Sequence, residues 1–318
     1  MTATILDCDP GLDDVMAILL AARTLDLVGI TVTHGNAPLS ATLRNTRQIL
    51  EFANLTHIPI AAGMARPLLR SPQSALEIHG QAGLGGVVLP EPSIALHELH
   101  AVDFIIAQSH RTPGLQLVPT GPLTNIATAL LKDPSLPQRL SQICLMGGST
   151  GAGNTTPSAE FNIYADPEAA QIVFTSGIPI KMVGLNVTRQ VPAMAERRAQ
   201  VRAIGNQTAI LAADLLDFFS LQVQRIFGLP GGAMHDPLAV AVLLDPELVQ
   251  FQPMHVAIEL RGEHTYGMTV CDQRPIASVE LDADASVRRS IPPNAQVAIA
   301  VNTERFWELF LNVLATYA

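Results

Sequence analysis

The sequence reads ATILDCDPGLDDVMAILLA over residues 3–21, and this stretch decides which kind of fold to expect. The apolar run Ala3–Asp7 predicts a buried strand, Pro10-Gly11 a tight turn, and Asp13–Arg23 a helix. A strand that turns sharply into a helix is the basic unit of layered α/β folds. We therefore expect an α/β protein.

The same stretch carries four carboxylates within eight residues: Asp7, Asp9, Asp13 and Asp14. The dipole of the following helix favours negative charge at its start, but it does not balance so many charges. Two carboxylates ~4 Å apart repel each other by roughly 4 kcal/mol at an effective dielectric of 20. A bound cation removes this repulsion, and oxygen ligands favour Ca²⁺ or Mg²⁺ over zinc.

Short apolar runs alternate with helix-like stretches along the rest of the chain. The predicted strands are Ala3–Asp7, Leu27–Thr33, Leu115–Pro119, Gln142–Met146, Ile180–Gly184, Gln252–Glu259, Ser278–Leu281 and Gln296–Val301. The predicted helices are Asp13–Arg23, Ala41–Ala53, Ala101–Ser109, Leu123–Leu131, Pro167–Ser176, Thr208–Phe227, Pro237–Leu243 and Glu304–Thr316. This pattern predicts a single α/β domain over residues 1–318, with a Rossmann-like, mostly parallel central sheet flanked by helices. Ligand sites in such sheets gather beyond the carboxyl ends of the strands.

Polar residues follow two further predicted strands. After Leu115–Pro119, Gly121-Pro122 keeps the Thr120 carbonyl out of any helical bond, and a free carbonyl is a suitable ligand for a hard cation. The loop after Gln142–Met146 leads to three residues that can exchange hydrogen bonds with a sugar: Asn154, Glu160 and Asn162.

The tripeptide His235-Asp236-Pro237 stands at the start of a predicted helix. Asp236 fits the N-cap and Pro237 the first helical position, which is a purely structural interpretation. A histidine at a helix entrance, rather than on an apolar face, also fits an acid–base or ligand role. Both interpretations remain open from the residues alone.

The charge balance restricts the partners of the chain. The formal net charge is −9, and the only lysines are Lys132 and Lys181. Without a basic face the chain is not expected to bind nucleic acid. A small, nearly neutral molecule such as a nucleoside is compatible with this charge.

The hydropathy pattern argues against a membrane protein. The longest apolar runs, such as Val15–Ala22 and Leu238–Leu244, fall far short of the ~20 residues that span a bilayer. The N-terminus lacks the features of a signal peptide. The cysteines Cys8, Cys144 and Cys271 are too widely spaced for a zinc pattern or a disulfide framework, which fits a reducing compartment. We therefore expect a cytoplasmic protein with no membrane partner.

The Asp-x-Asp pattern after a first strand also opens haloacid dehalogenase-like phosphatases, in which one Asp is the nucleophile beside Mg²⁺. Such an enzyme needs a lysine to steady the phosphoryl charge. Lys132 lies near the end of a predicted helix and Lys181 inside an apolar strand, and neither has a catalytic setting. A following Asp-Asp motif is also missing, so a phosphatase is the less favoured alternative.

Taken together, the motifs resemble the inosine-uridine preferring nucleoside hydrolase family over nearly the whole chain. The N-terminal run Asp7–Asp14 matches the family signature at every diagnostic position. The other matching segments follow in the order of the family: Gly35-Asn36, His79-Gly80, Gly83-Leu84, Thr120–Asn125, Glu160–Asn162 and His235-Asp236-Pro237.

This resemblance implies a Ca²⁺ cofactor and a ribose site. The residues that would hold calcium are Asp9, Asp14, the Thr120 carbonyl and Asp236. The residues that would bind the ribose are Asp13, Asn162, Asn154, Glu160 and Asn36, with Asn154 and Glu160 at the 5′-hydroxyl. Asp7 would orient the metal carboxylates from behind.

The resemblance also implies a reaction. Asp9 would act as general base on a metal-bound water that attacks the anomeric carbon, with inversion. His235 is the candidate acid for the departing base, and His79 is a candidate contact to that base. No tyrosine occurs at residues 218–227, where some relatives use one for the leaving group, so the preferred base stays open.

The resemblance also implies an oligomeric state and a kind of substrate. The protein is expected to be a homodimer or homotetramer that acts on a small-molecule nucleoside. A third functional hypothesis is a non-catalytic, calcium-loaded ribose or nucleoside binding protein, which the presence of Asp9, the proposed base, disfavours.

Overall fold

The computed structural model describes residues 2–80, 83–274 and 291–318, and strands and helices alternate along much of the chain. The strands are β1 (Ala3–Cys8), β2 (Asp26–Val32), β3 (Ile60–Ala62), β4 (Leu115–Pro119), β5 (Leu140–Met146), β6 (Ile180–Val183), β7 (Val249–Met254), β8 (Val256–Ile258), β9 (Thr269–Cys271) and β10 (Ala295–Val301). The helices are α1 (Leu12–Thr24), α2 (Leu39–Phe52), α3 (Leu76–His79), α4 (Ala101–Arg111), α5 (Thr124–Lys132), α6 (Phe161–Ala165), α7 (Pro167–Phe174), α8 (Leu185–Thr188), α9 (Ala195–Ala203), α10 (Gln207–Phe227), α11 (His235–Leu244) and α12 (Thr303–Leu314), with a 3₁₀ turn at Leu136–Arg139.

The central sheet has the order β3-β2-β1-β4-β5-β6-β10-β7, and a separate pair joins β8 to β9. Neighbouring strands of the central sheet are parallel except β10 and β7, which are antiparallel. The chain moves from β1 outward to β2 and β3, then returns to place β4, β5 and β6 on the other side. This reversal opens a crevice at the carboxyl ends of β1 and β4, where sheets of this type bind ligands. The predicted α/β fold with a mostly parallel sheet is confirmed.

Helices cover both faces of the sheet, as parallel sheets require. Successive side chains of β1 point to opposite faces, so Leu6 belongs to the core that includes α1, α10, α11 and α12, whereas Ile5 belongs to the core that includes α4, α5 and α7. Helix α1 is buried without interruption from Leu12 to Ala21. Each fully buried aliphatic side chain stabilises the fold by roughly 1.5–3 kcal/mol. None of the helices within the described ranges is long and apolar enough to cross a bilayer.

The structure differs from the predicted elements at both edges of the sheet. The predicted strand Gln252–Glu259 is interrupted at His255, because β7 pairs with β10 whereas β8 pairs with β9. The predicted strand Ser278–Leu281 lies outside the described residues. Strand β3 was not predicted, since three residues are too few to show a period.

Candidate active site and metal centre

The crevice brings the ends of β1 and β4 together. Asp7 pairs with Pro119 in the parallel ladder, and the Thr120 N–H donates to the Asp7 carbonyl at 2.8 Å. Asp9 follows the end of β1 just as Thr120 follows the end of β4. The strand register therefore brings Asp9 and the Thr120 backbone, two of the predicted metal ligands, to the same edge of the sheet.

Four donors hold the carboxylate of Asp14, in the first turn of α1. Its Oδ2 accepts hydrogen bonds from the Gly11 N–H at 3.0 Å and from Asn36 Nδ2 at 3.0 Å. Its Oδ1 accepts from the Thr120 hydroxyl at 2.9 Å and from the Asp9 N–H at 3.4 Å. These bonds come from three chain segments and fix the orientation of the carboxylate.

The two carboxylate oxygens of Asp9 have different surroundings. Oδ2 accepts the Asn36 N–H at 2.6 Å, whereas Oδ1 is buried and has no hydrogen-bond partner among the described residues. A Cβ on Gly35 would lie 1.9 Å from Oδ2, and one on Gly121 would lie 2.5 Å from Oδ1, so both positions require glycine. A buried polar atom without a partner costs free energy, and a ligand that contacts Oδ1 would remove that cost.

Three carboxylates form a compact cluster where α1 packs against α11. Oxygens of Asp13, Asp14 and Asp236 lie within 4.8 Å of one another, and all three side chains are buried. Burial is the largest cause that raises the pKa of Asp236, and repulsion from the Asp13 and Asp14 charges follows it. Helix α11 begins at His235 with Met234 as N-cap, so the N-cap interpretation of Asp236 was wrong.

Burial raises the pKa of the three carboxyl groups in this cluster and of the nearby Asp9. The pKa of Asp13 rises to about 7, first because of burial and then because of the Asp14 charge. The pKa values of Asp9 and Asp236 rise well above the ordinary range for the same kind of reason, and burial also raises the pKa of Asp14. A divalent cation would offset this unfavourable concentration of negative charge.

The donor set fits a hard divalent cation. The carboxylates of Asp9, Asp14 and Asp236 and the Thr120 carbonyl are all oxygen donors, which such ions prefer. The Thr120 carbonyl accepts Asn162 Nδ2 at 2.7 Å, and its second lone pair is left for another partner. The cluster is therefore a candidate metal site. Asp13, which the family resemblance assigns to ribose, also lies within reach of such an ion.

The side chain of Asp7 is hydrogen-bonded to residues outside the cluster. Its Oδ1 accepts hydrogen bonds from the Thr31 hydroxyl at 2.5 Å and from Asn125 Nδ2 at 2.8 Å, while its buried Oδ2 has no partner among the described residues. Burial raises its pKa to about 7. Its side chain makes no hydrogen bond to a cluster carboxylate in the described structure; its backbone carbonyl positions Thr120 instead.

The predicted sugar contacts after β5 have different local roles. Glu160 is the N-cap of α6, and its carboxylate accepts the N–H groups of Gly148, Asn162 and Ile163. Asn162 is buried against the Thr120 carbonyl, whereas Asn154 lies exposed on a loop. The Oδ1 of Asn154 accepts the Phe161 N–H at 2.9 Å. Their predicted contacts to ribose hydroxyls stay predictions.

His79 is buried at the end of α3 and touches the start of α1. Its Nδ1 accepts the Leu12 N–H at 3.0 Å, and its ring lies 6.1 Å from that of Phe219. A Cβ on Gly11 would lie 2.3 Å from this Nδ1, which explains the glycine there. Burial, and secondarily His235, lowers the pKa of His79 to about 3. The two predicted histidines thus lie close enough for their charges to interact.

His235 is the first residue of α11, directly before the cluster residue Asp236. Its Nδ1 lies 2.7 Å from the hydroxyl of Thr188, the last residue of α8. Burial, followed by the charge of Arg189, lowers the pKa of His235 to about 4. Sequence reasoning missed Thr188, although the rule that ligand sites follow strand ends applies to it because α8 follows β6.

Neither lysine lies in a setting that suits a phosphatase. Lys132 is exposed and pairs with Asp103 at 2.6 Å. The Nζ of Lys181 lies 5.6 Å from the ring centroid of Phe251. Both side chains are thus engaged away from the carboxylate cluster, and the phosphatase alternative loses the cation that it needs.

Comparison with known proteins agrees with this geometry. The family model for inosine-uridine preferring nucleoside hydrolase matches residues 4–308. A protein of Shewanella woodyi named pyrimidine-specific ribonucleoside hydrolase RihA is 43% identical over 99% of this chain and 98% of its own length. An Escherichia coli protein of the same name is 41% identical with the same coverage of the two chains. The solved structure of a purine-preferring ribonucleoside hydrolase from Gardnerella vaginalis superposes with a TM-score of 0.90, at 33% identity over 99% of this chain and 98% of the other.

The matches extend over nearly the full length of both partners, and the relatives are ribonucleoside hydrolases, a class of N-glycosidase. The resemblance seen in the sequence motifs is confirmed. The chain belongs to the inosine-uridine preferring nucleoside hydrolase family.

Proposed function

We propose that this chain hydrolyses the N-glycosidic bond of pyrimidine ribonucleosides, with ribose and the free base as products. The observation that carries the proposal is the buried Asp9 Oδ1, which has no partner among the described residues and lies beside an acidic cluster. The pyrimidine preference is supported by the relatives of 41–44% identity, which are named pyrimidine-specific. The purine-preferring structure is less similar, at 33% identity.

Calcium is the ion that we propose for the site, with Asp9, Asp14, Asp236 and the Thr120 carbonyl as its protein ligands. Calcium accepts about six to eight oxygen ligands in flexible geometry, whereas magnesium usually keeps several waters and takes only one or two carboxylates. Three carboxylates and a carbonyl on three chain segments suit the larger ion. When bound, calcium supplies positive charge that makes a nearby water more acidic and holds it in place.

Asp9 is the proposed general base. The Asn36 N–H fixes Oδ2, so the free Oδ1 has a defined position from which to accept a proton from the attacking water. Asn36 also donates its side-chain amide to Asp14 Oδ2 and to the Asp9 carbonyl. Asn36 therefore couples the proposed base to a proposed metal ligand. Direct attack by water predicts inversion at the anomeric carbon.

The ribose is proposed to bind between the cluster and the loop after β5. Asp13 and Asn162 are the proposed partners of the ribose hydroxyls, and Asn154 and Glu160 those of the 5′-hydroxyl. Negative charge close to the sugar stabilises the positive charge that develops on the ring as the bond to the base breaks.

His235 and His79 are proposed to serve the departing base. In both rings the Nε2 atom makes no hydrogen bond inside the described structure. Neither Nε2 belongs to the fully buried side-chain atoms that lack a partner. His235 is the proposed leaving-group acid, and His79 the proposed contact to the base. Phe219 lies next to His79 and supplies an apolar ring on which the base plane can rest.

We also propose one catalytic domain over residues 1–318, acting in the cytoplasm as a homodimer or homotetramer. One sheet with a core on each face supports the single domain. The free thiols of Cys8, Cys144 and Cys271 support a reducing compartment. Sedimentation analysis of the purified protein tests the oligomeric state.

The experiment that tests the function is a substrate panel of uridine, cytidine, inosine, adenosine and guanosine, with base release followed by chromatography. We expect uridine and cytidine to be cleaved with the highest kcat/KM, and proton NMR of the first turnover to show α-ribose from a β-nucleoside. Release of purines alone contradicts the pyrimidine preference. Tight nucleoside binding without release supports the non-catalytic alternative.

A further inference from the structure

Thr188 makes one side-chain hydrogen bond, and that bond is to His235. Its side chain is fully buried at the end of α8, with Oγ1 2.7 Å from His235 Nδ1. No other residue that the structure describes bonds to either of these two atoms. The hydroxyl and the ring therefore form an isolated pair at the carboxyl end of β6.

The position of the ring proton follows from counting donors. If Nδ1 carried the proton of a neutral ring, Thr188 Oγ1 would accept it, and the hydroxyl proton would be left buried without an acceptor. Such an arrangement costs free energy. The opposite arrangement satisfies both atoms, because the hydroxyl donates to a bare Nδ1 and the ring proton sits on Nε2 of His235.

The tautomer of His79 follows from the same count of donors, with a backbone N–H in place of the hydroxyl. The Leu12 N–H can only donate, so the Nδ1 that accepts it at 3.0 Å carries no proton. The neutral ring of His79 therefore also holds its proton on Nε2. The two histidines thus share one tautomer, which the Thr188 hydroxyl sets for His235 and the Leu12 N–H sets for His79.

We propose that Thr188 is a positioning residue for the leaving group, whose hydroxyl holds His235 with its proton on Nε2 and that atom free for the departing base. When the glycosidic bond breaks, its electron pair leaves with the base, and the Nε2–H donates a hydrogen bond to the base as this charge develops. The inference rests on the proposed function, since a leaving group exists only if that bond is cleaved.

The test compares two substrates that differ in how much help the leaving group needs. Uridine requires stabilisation of its departing base, whereas 4-nitrophenyl β-D-ribofuranoside releases a nitrophenolate that is stable without a donor. Thr188→Val replaces the hydroxyl by a methyl of similar size. We expect it to lower kcat on uridine by roughly 10- to 100-fold, part of the ~10²–10⁴-fold that acid–base assistance contributes, and kcat on the nitrophenyl riboside by less than about twofold.

Thr188→Ser restores a hydroxyl at the same atom, and we expect it to recover most of the uridine activity. Thr188→Ala is measured in parallel. If the valine variant does not fold, the alanine variant still gives the ratio of kcat on uridine to kcat on the nitrophenyl riboside. Histidine ¹⁵N NMR of the wild type is expected to give the pattern of an Nε2–H ring for His235, and Thr188→Val to change it.

Equal losses on both substrates, an unaffected uridine rate, or an Nδ1–H ring for His235 in the wild type would overturn the positioning role. Failure of the proposed function is a separate result, seen in the wild-type protein: cleavage of neither substrate contradicts the hydrolase activity, and cleavage of the nitrophenyl riboside without uridine contradicts the pyrimidine preference.

Discussion

The backbone N–H of Asn36 donates to Asp9 Oδ2 at 2.6 Å, while the other oxygen of the same carboxylate stays buried without a partner in the described structure. One oxygen is thus a fixed anchor and the other is available to a ligand. The anchor comes from the loop after β2, and the carboxylate from the turn after β1. The pairing of these parallel strands sets the geometry of the proposed base.

Asp9→Asn keeps this anchor and tests whether Asp9 acts as the base. Asparagine can still accept the Asn36 N–H, but it cannot take a proton from water, so we expect kcat to fall by roughly 10²–10⁴-fold. The Tm of the metal-free protein should not fall, because one buried, repelled charge is removed. Asp103→Asn, at the exposed pair with Lys132, is the matched control and should keep wild-type turnover. Near-normal activity of Asp9→Asn would rule out its role as base.

Gly121→Ala probes the space around the free oxygen. The added Cβ would lie 2.5 Å from Asp9 Oδ1, so the carboxylate or the β4 turn has to move. We expect a loss of stability of about 1–3 kcal/mol and a drop in kcat of at least about tenfold. Gly86→Ala is the control, because its Cβ meets nothing within 4 Å. Indistinguishable unfolding curves and rates for the two variants would contradict the close approach.

The effect of calcium on thermal stability should depend on pH. Burial and neighbouring charges raise the folded-state pKa of Asp13 to about 7, so this group holds its proton at pH 5; the pKa values of Asp9 and Asp236 are raised in the same direction. The stability that protonated Asp13 contributes is present below about pH 4 and is lost as the pH rises through 7. Calcium must displace the protons, so the rise in Tm on adding it should grow from pH 5 to pH 8.

Differential scanning fluorimetry with and without calcium measures this dependence. His79 and His235 have lowered pKa values, so they destabilise the fold as the pH falls below about 6.5. The change in Tm on adding calcium largely excludes this contribution, because the histidines titrate both with and without calcium. A rise in Tm that is constant, or larger at pH 5, would be inconsistent with the raised carboxyl pKa values.

His79→Ala should affect both stability and catalysis. The substitution leaves the buried Leu12 N–H without its acceptor, which costs about 1–3 kcal/mol, and it removes the proposed contact to the base. We expect a lower Tm and a higher KM for uridine. His57→Ala removes an exposed histidine and serves as the control for both measurements. An unchanged Tm would show that the bond to Leu12 contributes little.

Much of the fold was predictable because its units are local. Strand β1, its turn and α1 follow each other without a gap, and their apolar periods are clear in residues 3–21. The break at His255 was not predictable, since the residues on both sides of it are extended and only pairing with β10 or β9 separates them. Strand register in this region depends on partners distant in sequence.

The candidate site also contains residues that were predictable from the sequence and residues that were not. The carboxylates at Asp9, Asp13 and Asp14 are apparent from their spacing, whereas Asp236 joins them through the packing of α11 on α1 and was assigned by family resemblance. The position of Thr188 after β6 indicates only the region of the site, and its residue type gives no further signal. Its partnership with His235 exists only once β6 and α11 are placed.

The measurement that tests the account most directly is uracil release from uridine by the wild-type protein, before and after removal of divalent ions with a chelator and again after calcium is restored. The account predicts that release stops with the chelator and recovers with calcium. Release that continues at the full rate without divalent ions, or no release from a folded, calcium-loaded protein, would contradict it.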